Sequence, residues 1–209
     1  MKNKSFKWLR SLFLAIVLTT VTVMGLPLTG GPVTALAADK DIVVLYTNDV
    51  HCGVDDNIGY AGLALYKKGM QQQTPYVTLV DSGDAIQGAP IGTLSDGGYL
   101  IDIMNYVGYD FAVPGNHEFD YRPQGFASML KAAVTNQKND PTLQLPQLLC
   151  ANIDWSKNTS SDNLLIKDAM DAYGAKGYTV IEHGGVKAGI FGLMGVDSAY
   201  CAPLSSLTF

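Results

Sequence analysis

An α/β fold with a largely parallel sheet is what the sequence predicts, on three grounds. Short uninterrupted apolar runs, such as Ile42-Val43-Val44-Leu45-Tyr46, read as strands covered on both faces, because a half-solvated strand would alternate. Stretches with apolar residues at helical spacing fall between those runs. Strand and helix then alternate through residue 151, the order that parallel pairing with crossover helices requires.

Taken in order, residues 42–46 form the first strand and residues 60–72 the first helix. Val77-Thr78-Leu79-Val80 is the second buried strand. Leu100, Ile103, Met104 and Val107 fall at i, i+3, i+4 and i+7, the stripe of a helix with one buried face. Phe111-Ala112-Val113 is a short third strand stopped by Pro114. Phe126, Met129, Leu130 and Ala133 repeat the helical spacing, and Leu148-Leu149-Cys150-Ala151 is the fourth strand. Asn152–Asp162 reads as a surface loop. Tyr178–Glu182 and Val186–Leu193 flank His183-Gly184-Gly185, which reads as a hairpin turn and gives His183 a structural place. There is no internal repeat.

Composition narrows the function. A chain of 209 residues suggests one domain or a little more. Hydrophobic residues at 47% with charged residues at 16% exclude disorder. A net charge of −5 argues against a nucleic-acid polymer as partner, since such modules need a basic face. The acid is 17 Asp against 2 Glu, a bias towards loops, turns and metal sites rather than helices. Three cysteines without a CxxC pair exclude a dense disulfide framework and a thiolate zinc knuckle. Cys150 and Cys201 remain open between core thiols and a disulfide.

Residues 1–37 read as a secretory signal peptide. Lys2, Lys4, Lys7 and Arg10 precede the apolar run Leu12–Met24, and Ala35-Leu36-Ala37 offers a small-x-small cleavage site. The apolar run falls short of the roughly 20 residues a bilayer span needs. Any membrane association is therefore expected only through an uncleaved signal peptide. The remaining chain carries 10 basic against 19 acidic residues, a net of −9. The expectation is an exported acidic protein, secreted or held in the cell envelope.

Polar clusters follow each of the first three strands: Thr47-Asn48-Asp49-Val50-His51, then Asp81-Ser82-Gly83-Asp84, then Gly115-Asn116-His117-Glu118-Phe119-Asp120. In a parallel sheet the carboxyl ends of successive strands share one edge, where ligands bind. These clusters should therefore converge. Asp49 and His51, two apart in an extended segment, would point the same way and grip one ion. Asp84 could bridge two ions, and Asn116 offers an amide oxygen to the second. His117 would reach substrate, held in one tautomer by Asp120.

Asp49-x-His51, Gly83-Asp84 and Gly115-Asn116-His117-Glu118 together resemble the calcineurin-like metallophosphoesterase superfamily. The longer strings, Tyr46-Thr47-Asn48-Asp49-Val50-His51 and Gly115 through Tyr121, look like its secreted 5′-nucleotidase and UDP-sugar hydrolase branch. The resemblance covers about residues 41–195. It implies a four-layer α-β-β-α sandwich around two divalent metal ions, zinc or manganese first, magnesium or iron also compatible. It implies Asp49, His51, Asp84 and Asn116 as metal ligands, with Asp84 the bridge. His117 and Asp120 would form the catalytic dyad. The substrate it implies is a small-molecule nucleotide, most simply a nucleoside 5′-monophosphate. A 2′,3′-cyclic nucleotide or a UDP-sugar is the alternative within the superfamily, and a non-catalytic binding module the alternative outside it.

The sequence departs from that pattern in three places. Cys52 stands where the family usually has glycine; it reads as a small buried filler, with a soft metal ligand the alternative. Arg122 also replaces a common glycine. The family completes its metal site with later Gly-His motifs, whereas the only histidines here are His51, His117 and His183. Residues 38–209 are therefore expected to be the N-terminal part of a metallophosphoesterase domain, its sandwich truncated on the C-terminal side and its C-terminal substrate-binding domain absent. Oligomeric state is left open.

Overall fold

The structure, a computed structural model, describes residues 41–209, which lie within one compact unit. The signal-peptide reading falls outside the described residues.

Four strands, β1 (Val43–Thr47), β2 (Val77–Asp81), β3 (Phe111–Ala112) and β4 (Gln147–Leu148), form one parallel sheet in the order β1-β2-β3-β4. Chain order and spatial order coincide. With right-handed crossovers, every connecting helix then falls on the same face of the sheet. Those helices are α1 (Gly59–Gln71), the single turn α2 (Pro90–Thr93), α3 (Gly98–Val107) and α4 (Arg122–Asn139). The main core lies between them and the sheet. Leu79, Ile86, Leu100, Met104, Phe126 and Ile166 are all buried in it. Each side chain of that size contributes roughly 1.5–3 kcal/mol by leaving water. The stripe residues Phe126, Met129, Leu130 and Ala133 are the buried face of α4, as their spacing predicts.

The four-strand parallel sheet and the helices assigned from sequence are present, with ends shifted by a residue or two. The fourth strand is shorter than expected, ending at Leu148 with a further bridge from Leu149 to Lys176. The longest helix to escape the sequence reading falls mostly in residues 163–177, to which nothing is assigned; the single turn α2 escapes it too. The longer one is α5 (Ser161–Tyr173), opened by a reciprocal cap in which Ser160 Oγ accepts from Asn163 N at 3.1 Å. Asn163 Oδ1 returns the bond to Ser160 N at 3.2 Å. The buried Ile166, Ala169 and Met170 face the core.

The hairpin is present as β5 (Tyr178–His183) and β6 (Val186–Phe191), joined by Gly184 and Gly185. It rests on the second face of the sheet. His183 Nε2 lies 2.9 Å from Thr78 Oγ1, and its ring packs on Tyr76. Thr78 points away from the helix side, on the opposite pleat from the core residue Leu79. His183 thus has a structural partner. Beyond the hairpin, Val44 and Tyr46 of β1 are 59% and 73% exposed. The chain ends in α6 (Val196–Tyr200) and a short 3₁₀ turn. The helix layer, the parallel sheet and a first pair of strands over its second face agree with the metallophosphoesterase sandwich. No described helix is long and apolar enough to cross a membrane.

All three cysteines are free: Cys52 and Cys150 are buried and Cys201 is exposed. The core-thiol alternative therefore holds for Cys150. Cys52 is the buried filler expected.

Both residues noted as replacing glycine adopt left-handed backbone, with φ of +62° at Cys52 and +61° at Arg122. Arg122 is exposed and opens α4, so its side chain holds nothing in the core. Left-handed backbone costs a residue with a Cβ roughly 1–2 kcal/mol, and glycine gives back roughly 0.4–1 through the freer unfolded chain. Arg122→Gly should stabilise the protein by about 0.5–1 kcal/mol. Urea unfolding checks this: the midpoint should rise with an unchanged slope, and a fall would mean Arg122 makes a contact worth more than its strain.

Candidate metal centre

The strand ends are level. Thr47 pairs with Asp81, Asp81 with Ala112, and Ala112 with Leu148, so all four strands finish on one row. The loops beyond β1 and β2 then continue side by side. Asp49 N donates to Gly83 O at 3.1 Å, His51 N to Asp84 O at 2.9 Å and Cys52 N to Ala85 O at 2.9 Å. The segment is not extended, contrary to the sequence reading. Asp49, His51 and Asp84 all take left-handed φ, of +53°, +47° and +58°. Three strained residues at three proposed ligand positions mark a site that the surrounding hydrogen bonds hold in place.

One ligand atom each from His51, Asp84 and His117 lies within 4.8 Å of the other two. The His51 and His117 rings meet edge to face at 5.0 Å between centroids. His51 Nδ1 lies 3.1 Å from Gln87 O. A carbonyl only accepts, so Nδ1 carries the proton and Nε2 keeps a free lone pair, the arrangement typical of metal-ligating histidine. Asp49 Oδ1 is 3.8 Å from His51 Nε2, and its other oxygen accepts from Asn48 Nδ2. Asp84 Oδ1 accepts from His117 N at 2.8 Å. Asn116 is half-buried in the same loop, between Gly115 and His117. His117 Nδ1 and Asp120 Oδ2 are 2.7 Å apart, so the expected dyad is formed. That bond, with the Asp120 charge behind it, holds His117 above the usual imidazole range. A cleft of about 310 Å³ opens beside Asp49, with Asn48 and Asp56 in its wall.

The structure therefore gathers His51, Asp84 and His117 at one point, with Asp49 and Asp120 one contact away. Imidazole nitrogens and carboxylate oxygens in solvent reach form a donor set suited to borderline divalent ions. The residues present fit such an ion. His117 comes closer to the ligand group than its assignment to substrate implied.

Two carboxylates carry weight that the sequence reading does not assign. Asp81 is buried on the common row. Its Oδ2 takes the Thr47 hydroxyl at 2.5 Å, its Oδ1 takes Gly83 N at 2.9 Å, and Thr47 also meets the buried Tyr109 hydroxyl at 2.9 Å. Glu118 is buried and accepts from Asp84 N at 2.8 Å, Ala85 N at 2.9 Å, Gly115 N at 2.6 Å and Ile86 N at 3.4 Å. One signal was present in the composition: Glu118 is one of only two glutamates in an aspartate-rich chain. Gly83 and Gly115 are needed where these loops touch. A Cβ on Gly83, at φ +102°, would collide with Gly115 N, and one on Gly115 would collide with Asp84 Oδ1.

Fold and site together define an α/β domain with a candidate metal-binding group at the carboxyl edge of a parallel sheet. Residues 42–201 match the Calcineurin-like phosphoesterase family, and the chain belongs to that family. It is 29% identical over 181 residues to the trifunctional nucleotide phosphoesterase protein YfkN of Bacillus subtilis, covering 81% of this chain and 12% of that protein. It is 32% identical over 108 residues to the 5′-nucleotidase of Bos taurus, covering 45% of this chain and 19% of that one. Its fold is similar to the crystal structure of a 5′-nucleotidase precursor from Thermus thermophilus, with a TM-score of 0.58 at 22% identity over 76% of this chain and 29% of that one. The chain thus spans well under half the length of these relatives.

Burial raises Asp81 from an ordinary carboxylate to about 7, with Glu118 adding to the rise and the Thr47 and Gly83 bonds opposing it. A raised carboxylate favours the folded state below its unfolded value of 3.8 and loses that advantage as pH climbs to about 7. Metal-free protein should therefore lose stability between pH 4 and 7. Asp81→Asn carries no charge, can still accept from Gly83 N and can donate its NH₂ to Thr47 Oγ1 in place of the bond it accepts now, so it should flatten that decline, as urea midpoints at pH 5 and pH 8 will report. A variant with an undiminished decline would mean that Asp81 is already ionised at pH 5.

Proposed function

We propose that the protein carrying this chain is a secreted metal-dependent phosphoester hydrolase that releases phosphate from nucleoside 5′-monophosphates. The observation that carries the reading is the convergence of His51, Asp84 and His117 within 4.8 Å, with Asp120 clipped to His117 at 2.7 Å. The nucleotide class is supported by relatives named as 5′-nucleotidases and a nucleotide phosphoesterase. The basic start, apolar run and small-residue site of residues 1–37 support export.

Asp49, His51, Asp84 and Asn116 would hold two divalent ions, manganese or zinc, with Asp84 a ligand shared by both. Bound ions would supply positive charge for the phosphoryl oxygens and acidity for water. The chain's own part in the reaction is then positional and protonic. Asp84 fixes the backbone of the next loop through His117 N. Asp120 fixes the His117 ring by Nδ1 and keeps it protonated to higher pH, leaving Nε2 free. From there it can donate a hydrogen bond to a phosphoryl oxygen or a proton to the leaving alkoxide.

Phosphate release from adenosine 5′-monophosphate, 2′,3′-cyclic adenosine monophosphate and a UDP-sugar, with manganese or zinc added, tests the substrate. Turnover on the 5′-monophosphate is expected. Hydrolysis of the cyclic nucleotide alone would move the protein to another branch. Two variants test the roles. His117→Ala should lower turnover roughly 10²–10⁴-fold while metal content stays near that of the parent. Asp84→Ala should lose metal. The opposite pair of results would exchange the two roles.

A further inference from the structure

Glu118 ties together the loops bearing Asp84 and His117 while standing outside the group of ligand atoms. Its carboxylate is buried, with no lysine, arginine or histidine paired to it among the described residues. Four backbone N–H groups take the place of a cation. Oε1 receives Ala85 N at 2.9 Å and Ile86 N at 3.4 Å. Oε2 receives Asp84 N at 2.8 Å from the loop after β2, and Gly115 N at 2.6 Å from the loop after β3. A single oxygen thus ties the amide of a proposed ligand to the loop that carries Asn116 and His117. The tie is doubled at the other end by His117 N donating to Asp84 Oδ1 at 2.8 Å.

A buried charge held only by backbone donors is expensive to desolvate, so it persists where an uncharged residue cannot make the same bonds. Glutamine has one acceptor oxygen instead of two, and its NH₂ would face N–H groups that also donate. Aspartate has the charge but is shorter by one methylene. We propose that Glu118 is a positioning residue for the metal centre: its carboxylate sets the distance between the Asp84 loop and the His117 loop, and thereby metal affinity and ligand geometry. The inference rests on the metal reading of the site. In position it resembles the partners that orient metal ligands, whose loss typically weakens metal binding 10–100-fold.

Cobalt(II) binding tests this, because its visible absorption reports ligand number and geometry directly. Wild-type, Glu118→Gln and Glu118→Asp proteins are titrated with cobalt(II) at a temperature where circular dichroism shows each folded. Glu182→Gln, which changes the other glutamate on an exposed part of β5, is the control. The expected result is about 10-fold or greater weakening in both Glu118 variants with altered band positions or intensities, and none in the control. A Glu118→Gln protein that binds cobalt as wild type does, with the same spectrum, overturns the inference even if its melting temperature falls. A wild-type protein that takes up no cobalt overturns the metal reading as well. If neither Glu118 variant folds, hydrogen exchange on the wild type decides. The Asp84, Ala85 and Gly115 amides should be protected although they lie in loops, and rapid exchange at all three would remove the clamp.

Discussion

Everything at the candidate site depends on one row of residues. Thr47, Asp81, Ala112 and Leu148 are neighbours across the parallel sheet, so four strands end at one level. A parallel ladder of this kind can be shifted only as a unit, because slipping a strand by one residue would turn its core face outward. Leu79 sits in the core against the helices and Thr78 under the hairpin, so the register of β2 is fixed from both sides. Asp49, Asp84 and Asn116 each stand two to four residues beyond that row. Their convergence follows from the register rather than from any attraction between them.

Convergence alone would leave three mobile loops. What stiffens them is a polar frame in which nearly every partner is backbone. Asp49 N, His51 N and Cys52 N lock the first loop onto the second, and Glu118 locks the second onto the third. Left-handed backbone at Asp49, His51 and Asp84 is tolerated because these bonds outnumber the residues they constrain. Asp81 lies at the base of the frame with its carboxyl pushed up to about 7 by burial. Glu118, also raised by burial, shares that environment. Two buried carboxylates under a candidate cation site make local sense, since a nearby positive charge lowers the cost of ionising both.

Much of this was legible in the sequence, for stated physical reasons. Continuous apolar runs gave β1 and β2 as strands, and helical spacing gave α3 and α4, but only β2 is covered on both faces as such a run predicts: β1 leaves Val44 and Tyr46 more than half exposed. The ligand clusters were legible because chemistry demands Asp, His and Asn in combination after strands. The conformation of the first cluster was not. Nothing in Asp49-Val50-His51 announces left-handed φ, which arises from hydrogen bonds to a loop more than 30 residues away. Helix α5 was missed because its cap uses Asn163 where a glutamate or glutamine is the familiar signal. Glu118 was read as part of a motif, and only the fold shows what its second oxygen reaches.

The exposed apolar surface reaches the site only at Tyr46, which lines the cleft beside Asp49. Because chain order equals strand order, the helices cover one face of the sheet and leave the other to the β5–β6 hairpin. Val44 and Tyr46 beyond the hairpin, and Tyr178 and Phe191 on its outer side, are more than half exposed. A surface of that kind signals a further packing partner. The bonds that fix His51, Asp84 and His117 do not run through it. They come from Gln87, Asp120, Glu118 and the three loops themselves. The group of candidate ligands is therefore held by the sheet and by its own loops, independently of what lies over the second face.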